Sequence, residues 1–99
     1  MKNPGGLTNT KYVDEPVKEI LKQIHSQINN NTNINYDKLN IHSYKTQVVA
    51  GLIYYIKVNI DDNKYAHLKV IEYLPHVNKS PELLSHQLDK KIDDEIEYF

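Results

Sequence analysis

Five histidines are the residues of this sequence whose chemistry could most directly build a site. Imidazole serves as a metal ligand and as a general acid or base, and the chain contains His25, His42, His67, His76 and His86. None of them forms the H-x-x-x-H pair of a zinc-binding helix, and no carboxylate stands beside them at ligand spacing. We therefore expect neither a metal site nor a cofactor.

Hydrolytic chemistry has equally little support. A serine–histidine–aspartate hydrolase needs a nucleophile on a sharp turn and a pocket, and this small chain shows neither. Cysteine is absent, which excludes disulfides, thiol catalysis and thiolate metal ligands. The acidic run of Asp93, Asp94, Glu95 and Glu97 is typical of a solvated face. The sequence predicts a protein that is not an enzyme.

Length, composition and charge further limit the classes of protein to which this chain could belong. The 99 residues suit a single domain, which we assign to residues 1–99. The formal net charge is −1, from 12 lysines without any arginine and 13 acidic residues, so no basic surface for nucleic acid is expected. No apolar run approaches the roughly 20 residues that span a bilayer, and no signal peptide is recognisable. With no cysteine, these features predict a cytoplasmic protein that binds neither nucleic acid nor membrane.

One helix is predicted over residues 14–29. Asp14 can cap its first turn, in which Pro16 is tolerated. Apolar residues recur at helical spacing and form a stripe that another surface must cover, namely Val17, Ile20, Leu21, Ile24 and Ile28. The opposite face is polar and includes Gln27.

Alternating apolar residues predict antiparallel strands in the rest of the chain. Residues 54–60 and 66–70 form a hairpin around a polar turn. Residues 39–49 are also extended, and their alternation changes parity, which a bulge near Ser43 would explain. Residues 94–99 are expected to form an edge strand. One helix followed by strands predicts an α+β domain with the helix packed on one face of the sheet.

Two connections between strands are apolar where hairpin ends are normally polar. The first is Gln47-Val48-Val49-Ala50-Gly51, and the second is Leu74-Pro75-His76-Val77. Exposed apolar loops usually mark a surface for a partner, so both connections are candidates for protein binding. The alternative is that Val48 and Val49 continue a buried strand.

Residues 47–51 are identical to the Gln-Val-Val-Ala-Gly signature of the cystatin superfamily, and other segments resemble its stefin branch. Pro4-Gly5-Gly6-Leu7 resembles the N-terminal trunk, Leu74-Pro75-His76 resembles the second binding loop, and residues 93–99 resemble the stefin C-terminus. Lack of cysteine favours stefins over the disulfide-bonded secreted cystatins. The resemblance covers essentially the whole chain. It implies the cystatin fold, an antiparallel β-sheet of four to five strands wrapped around one long α-helix.

The resemblance also implies a function, which is reversible competitive inhibition of papain-like, cathepsin-type cysteine proteases. In stefins the N-terminal trunk and two hairpin loops form a wedge that enters the active-site cleft without being cleaved. Residues 1–12 would be a flexible trunk, in which Asn3 occupies a position that is often apolar in relatives. The resemblance assigns protease binding to Pro4, Gly5, Gly6, Gln47, Val48, Val49, Ala50, Gly51, Leu74, Pro75 and His76.

Two alternatives stay open at this point. Fold does not fix function, so a non-inhibitory cystatin-fold protein-binding module is the second reading of the chain. The active form is expected to be a monomer, but stefins as a family can exchange segments. Strain at the valines of residues 47–51 would favour opening of that loop. The resulting domain-swapped dimer would lack the loop and should not inhibit.

Overall fold

The apolar stripe of the predicted helix is the part of the chain around which the fold is organised. The structure is a computed structural model that describes residues 6–99, and in it all five side chains of the stripe are at most 2% exposed. Helix α1 spans Glu15–Gln23 and helix α2 spans His25–Asn31. Asp14 caps α1 as expected, because its carboxylate accepts a hydrogen bond from the Val17 amide at 3.4 Å.

The predicted single helix is interrupted at Ile24, which corrects the sequence analysis. Ile24 has φ −107° and ψ 14°, and its amide bonds to the carbonyl of Leu21, three residues back instead of four. Helical bonding resumes at once, since the Ile28 amide donates to the Ile24 carbonyl at 3.0 Å. Ile24 and Ile28 are both fully buried, so the apolar stripe stays on the core across the break.

The sheet has five antiparallel strands in sequence order. Their bounds are β1 Lys11–Tyr12, β2 Asn40–Val49, β3 Gly51–Asp61, β4 Lys64–Tyr73 and β5 Glu82–Lys90. The pairing of β2 with β3 shifts register between Ile41 and Ser43, which confirms the predicted bulge. The architecture is α+β, as predicted.

The last strand is not where the sequence analysis placed it. β5 is formed by Glu82–Lys90, whereas residues 94–99 form no strand and cross the sheet face opposite the helices. Pairing of β5 with β4 shifts register twice, and such irregularities remove the regular alternation that would reveal the strand. The interpretation of residues 94–99 as an edge strand was wrong.

Gln27 was assigned to the polar face of the helix, but its side chain holds the start of β5. Its amide nitrogen donates to the Pro81 carbonyl at 3.0 Å, and its oxygen accepts from the Leu83 amide at 2.8 Å. The two bonds satisfy main-chain groups at the point where the chain joins the sheet edge. α2 and β5 are therefore fixed to each other by one amide side chain.

Residues 8–12 contain more regular structure than the alternation suggested. The Thr8 amide donates to the Thr46 carbonyl at 2.9 Å, and Lys11–Tyr12 pairs with residues 43–44 of β2. A strand of two residues is too short to leave a periodic pattern. Residues 1–5 lie outside the described part of the chain, and the flexibility of the trunk stays a prediction.

The sheet is buried on both faces. On the helix side, the stripe packs against residues Tyr54, Ile56 and Val58 of β3 and Ala66, Leu68 and Val70 of β4. On the other side lies a smaller group, called here the second cluster, which consists of Ile53, Tyr55 and Ile96 with Leu7, Ile71 and Phe99 packed against it. The sequence predicted a strand that is buried on one face only. Burial of the second face could not be predicted, because the side chains that cover it, Ile96 and Phe99, are distant in sequence.

Three lysines on this second face hold residues 91–99, called here the C-terminal segment. The contacts run from Lys45 Nζ to Ile96 O at 2.8 Å, from Lys57 Nζ to Ile92 O at 2.6 Å and from Lys69 Nζ to Phe99 O at 2.5 Å. Burial lowers the pKa of Lys57, while the nearby carboxylates of Asp94 and Asp93 oppose the effect. Because a buried ammonium group needs acceptors, these carbonyl contacts fix the segment against the sheet.

His67 pairs across the ladder with Lys57 and is 1% exposed. Within residues 6–99 its Nε2 atom has no hydrogen-bond partner. Burial lowers the pKa of His67 to about 4, the positive charges of Lys57 and Lys90 act in the same direction, and Asp94 opposes them. The buried imidazole is therefore neutral at pH 7.

We expect the protein to lose stability as the pH falls from 6.5 towards about 4, because the unfolded chain binds a proton on His67 in this window and the folded chain does not. The complete loss corresponds to about 3 kcal/mol of unfolding free energy. Chemical denaturation at neutral pH and at about pH 4.5 measures most of this loss. His67→Leu should flatten the pH dependence. A dependence that this variant leaves unchanged would assign the effect to other groups.

Candidate functional site

The two apolar connections lie at the same end of the sheet. We call residues 47–51 the first loop and residues 74–77 the second loop. Val49 and Gly51 form the last pair of the β2–β3 ladder, with one residue between them. Gly51 also pairs with Tyr73, the last residue of β4, after which the second loop begins. The antiparallel strand order therefore places the two loops side by side.

The first loop presents two valines at its tip. Val48 is 68% exposed and Val49 is 40% exposed, so the alternative of a buried strand through both residues was wrong. Within residues 6–99, positive φ angles at residues other than glycine occur only at Asp62, Asn78 and Asp89. Val48 and Val49 therefore carry no strain from a left-handed backbone conformation, which is one form that the strain expected at the valines could have taken. β-branched side chains have few rotamers to lose when they are buried against a partner.

Gln47 faces the interior instead of the loop surface. It is 6% exposed, and its Oε1 atom accepts a hydrogen bond from the Tyr55 hydroxyl at 3.0 Å. The resemblance to stefins predicts Gln47 as a protease-binding residue. In the structure its side chain supports the first loop from beneath.

Gly51 is required by the hairpin itself. Its φ is +133°, a backbone conformation that residues with a side chain rarely adopt. A Cβ atom at this position would lie 2.6 Å from the Glu72 carbonyl oxygen of β4. The glycine therefore allows β3 to begin close to β4, and with it the first loop to lie close to the second.

The second loop is a single 3₁₀ turn over Pro75–Val77. Leu74 is 41% exposed and Val77 is 38% exposed, and Pro75 and His76 are exposed as well. Asn78 ends the turn in the left-handed conformation, with φ 58°. Val77 belongs to the apolar connection that the sequence singles out for protein binding, but the resemblance to stefins assigns binding only as far as His76.

Tyr73 lies directly before the second loop and is held by contacts with Glu82 and Lys79. Its hydroxyl is hydrogen-bonded to the Glu82 carboxylate, and this bond raises the pKa of Tyr73. Lys79 Nζ lies 5.2 Å from the centre of the same ring. Between the loops is a groove of about 280 Å³, lined by Gly51, Leu52, Glu72, Tyr73, Leu74 and Pro75.

The N-terminal segment runs towards the same end of the sheet. Lys11 pairs with Tyr44, and the Thr8 amide bonds to Thr46, so the chain antiparallel to β2 approaches the first loop as it is followed back to Gly6. Gly6 is exposed. The other two predicted trunk contacts, Pro4 and Gly5, lie outside the described residues. All other predicted site residues are brought to one end of the molecule.

Neither a metal-binding cluster nor a membrane-spanning helix is found within residues 6–99. In this range no group of three or more histidine, cysteine, aspartate or glutamate side chains is placed to hold a metal ion. The helices described in the same range are also too short or too polar to cross a membrane. The paired loops are thus the feature of the described chain that needs a functional explanation.

Residues 5–93 match the family model of the cystatin domain. The chain belongs to the cystatin family. Cystatin-A from Homo sapiens is 47% identical over 96 residues, which cover 97% of this chain and 98% of that protein. Leukocyte cysteine proteinase inhibitor 1 from Sus scrofa is 39% identical, with coverage of 96% and 92%, and Stefin-C from Bos taurus is 36% identical, with coverage of 98% and 96%. These matches confirm the resemblance to stefins and the cystatin fold.

We expect Gly51→Ala to destabilise this cystatin by about 2–4 kcal/mol, because the variant combines an unfavourable φ with a clash against a main-chain oxygen. Ala50→Gly is the matched control, since Ala50 is exposed in the same loop, and it should cost less than about 1 kcal/mol. Urea denaturation of both variants measures the difference. Similar small effects would contradict the steric role of Gly51.

Proposed function

We propose that the protein is a reversible, competitive inhibitor of papain-like, cathepsin-type cysteine proteases. The observation that carries the proposal is the exposure of apolar side chains from both loops at one end of the sheet, with Val48 alone 68% exposed. Adjacent exposed apolar groups are typical of a surface for a protein partner. The class of partner is supported by the relatives, one of which carries the name leukocyte cysteine proteinase inhibitor 1.

The proposed mechanism is a wedge formed by three segments. The first loop contributes Val48 and Val49, and the second loop contributes Leu74 and Pro75 on the same side of the protease cleft. The N-terminal trunk occupies the other side. A protease–inhibitor interface buries about 1,600 Å² in total, an area that a wedge of two loops and a trunk could reach.

The trunk residues are suited to this role by their backbone chemistry. Pro4 is an apolar group with restricted φ, so it loses little conformational entropy when it enters a pocket. Gly5 lets the chain turn beside the catalytic centre of the protease without a Cβ clash. Asn3 adds no apolar contact, which weakens the far end of the trunk.

The first loop is not a substrate of the protease. Val49 and Gly51 pair with each other in the β2–β3 ladder, so the chain turns back at Ala50 and does not continue as the unpaired, extended segment that a protease cleaves. The protein acts by binding and occlusion, without a metal, a cofactor or catalysis of its own. Nucleic acid and membranes are not among its proposed partners.

The active form is a monomer in the cytoplasm. The cytoplasmic assignment rests on the absence of cysteine in a small domain. Opening of the hairpin at the first loop would make β2 and β3 continuous and let two chains exchange their N-terminal halves. Such a domain-swapped dimer has no first loop and is therefore inactive as an inhibitor.

Titration of papain with the purified protein tests the proposal. Hydrolysis of a small fluorogenic substrate should stop reversibly, with an apparent inhibition constant that rises with substrate concentration, and trypsin should be unaffected. No inhibition of papain at micromolar protein would refute the proposal and would favour a non-inhibitory binding module. Progressive cleavage within the first loop, with loss of inhibition, would refute the mechanism.

Val48→Asp is expected to weaken papain binding by about 2–4 kcal/mol, because a carboxylate would be buried against an apolar wall of the protease. The thermal stability should stay close to that of the wild type, since Val48 is 68% exposed in the free protein. Val13→Asp is the matched control. It adds the same charge at an exposed valine outside the three proposed segments and should leave inhibition unchanged.

Deletion of residues 1–4 should weaken inhibition by about 1–4 kcal/mol and act mainly on the dissociation rate. The net loss is modest because ordering the trunk on binding costs about 1–2 kcal/mol per residue. Inhibition constants for the truncated and full-length proteins should be compared on several papain-like enzymes. Equal inhibition of all of them would exclude the trunk from the binding surface.

A further inference from the structure

The second cluster lies beneath all three segments that are proposed to bind the protease. Leu7 belongs to the N-terminal segment, Ile53 lies two residues after the first loop, and Ile71 lies three residues before the second loop. These side chains are covered by Ile96 and Phe99 of the C-terminal segment. One small group of side chains therefore connects the trunk, both loops and residues near the C-terminal end.

Tyr55 is the centre of this cluster. Its side chain is fully buried, and its ring meets Phe99 edge to face, with 5.5 Å between ring centroids and an interplanar angle of 79°. Its hydroxyl donates to Gln47 at 3.0 Å, at the base of the first loop. Burial raises the pKa of Tyr55 to about 12, so the hydroxyl stays protonated and keeps donating at any pH used for an inhibition assay.

Lys69 fastens the C-terminal segment over the Tyr55 ring. Its ammonium donates to the main-chain oxygen of Phe99 at 2.5 Å. The same ammonium lies 5.6 Å from the centre of the Tyr55 ring and 5.1 Å from that of Tyr98. The segment thus limits the positions that the Tyr55 ring, and with it the hydroxyl, can take.

We propose that Tyr55 and Gln47 are positioning residues for the first loop, and that residues 96–99 act on protease binding through them. The inference rests on the proposed inhibitory function and assigns to it a control by Tyr55 and residues 96–99, which lie outside the three binding segments. The hydrogen bond from Tyr55 holds the Gln47 side chain inward, which fixes the start of the loop and the direction of Val48. A loop held in its binding conformation loses less freedom on association than a loose one.

Removal of the Tyr55 hydroxyl should change the conformation of the first loop. Tyr55→Phe keeps the ring and leaves the Gln47 oxygen buried without a donor, an arrangement that the chain can relieve by letting residue 47 move outward. The inhibition constant for papain should rise by up to about tenfold, the change reached when association has to restore the loop at the full worth of one buried hydrogen bond.

Tyr44→Phe is the matched control on the other face of the sheet. Tyr44 is 3% exposed and packs on the helix side of the sheet, where its hydroxyl donates to the Asp14 carboxylate at 2.7 Å and has no contact with Gln47. Both variants remove one buried phenolic hydroxyl and its side-chain acceptor contact. Tyr44→Phe should leave the inhibition constant within about twofold of the wild type, even where the two variants lose similar stability.

Two further measurements separate positioning from a general loss of stability. Amide hydrogen exchange in residues 47–51 should be faster in Tyr55→Phe and unchanged in Tyr44→Phe. Phe99→Ala should also weaken inhibition, and its effect should combine less than additively with that of Tyr55→Phe, because both act on one loop.

The outcomes distinguish this inference from the proposed function. If the wild-type protein does not inhibit papain, the proposed function fails, and the exchange measurement still tests the link from Tyr55 to the first loop. If the wild type inhibits and the two tyrosine variants behave alike, the positioning role is overturned. The same holds if Phe99→Ala weakens inhibition and Tyr55→Phe does not, since the C-terminal segment would then act by a contact of its own.

Discussion

The ammonium groups of Lys45, Lys57 and Lys69 bond to main-chain oxygens of residues 91–99, and the second face of the sheet depends on these bonds. Lysines at half-buried strand positions normally extend into solvent, but Lys45 and Lys57 are at most 8% exposed. An ammonium group buried without acceptors would cost several kcal/mol. The C-terminal segment supplies the acceptors and also covers Tyr55. This sheet face, which carries polar and aromatic residues, is buried because the C-terminal segment crosses it.

The two faces of the sheet contribute differently to the protein. On the helix side, each fully buried isoleucine or leucine of the stripe contributes about 1.5–3 kcal/mol, so most of the apolar stabilisation lies there. The second face has a smaller apolar cluster, but its members border all three segments of the proposed binding end. The helix side accounts for the existence of the fold. The second face lies against the strand ends from which the loops extend.

The sequence predicted those elements whose pattern depends on near neighbours. The stripe from Val17 to Ile28, the β3–β4 hairpin and the bulge before Ser43 follow from local periodicity, and the exposure of the two loops follows from apolar residues at turn positions. It missed features that depend on distant partners. Gln47 is held inward by Tyr55, β5 is irregular in its register with β4, and residues 94–99 are placed by lysines that precede them by 30 residues or more. No local pattern carries information about such contacts.

The five residues of the first loop differ in what accounts for them. Gly51 is explained by its φ of +133° and by the nearby Glu72 carbonyl, and Gln47 by its hydrogen bond to Tyr55. Both would be needed in this hairpin even if no partner existed. Val48, at 68% exposure, has no comparable explanation, because an exposed β-branched side chain at a tip adds little to folding. The ends of the loop shape the hairpin, whereas the exposed Val48 between them is accounted for by the proposed binding function.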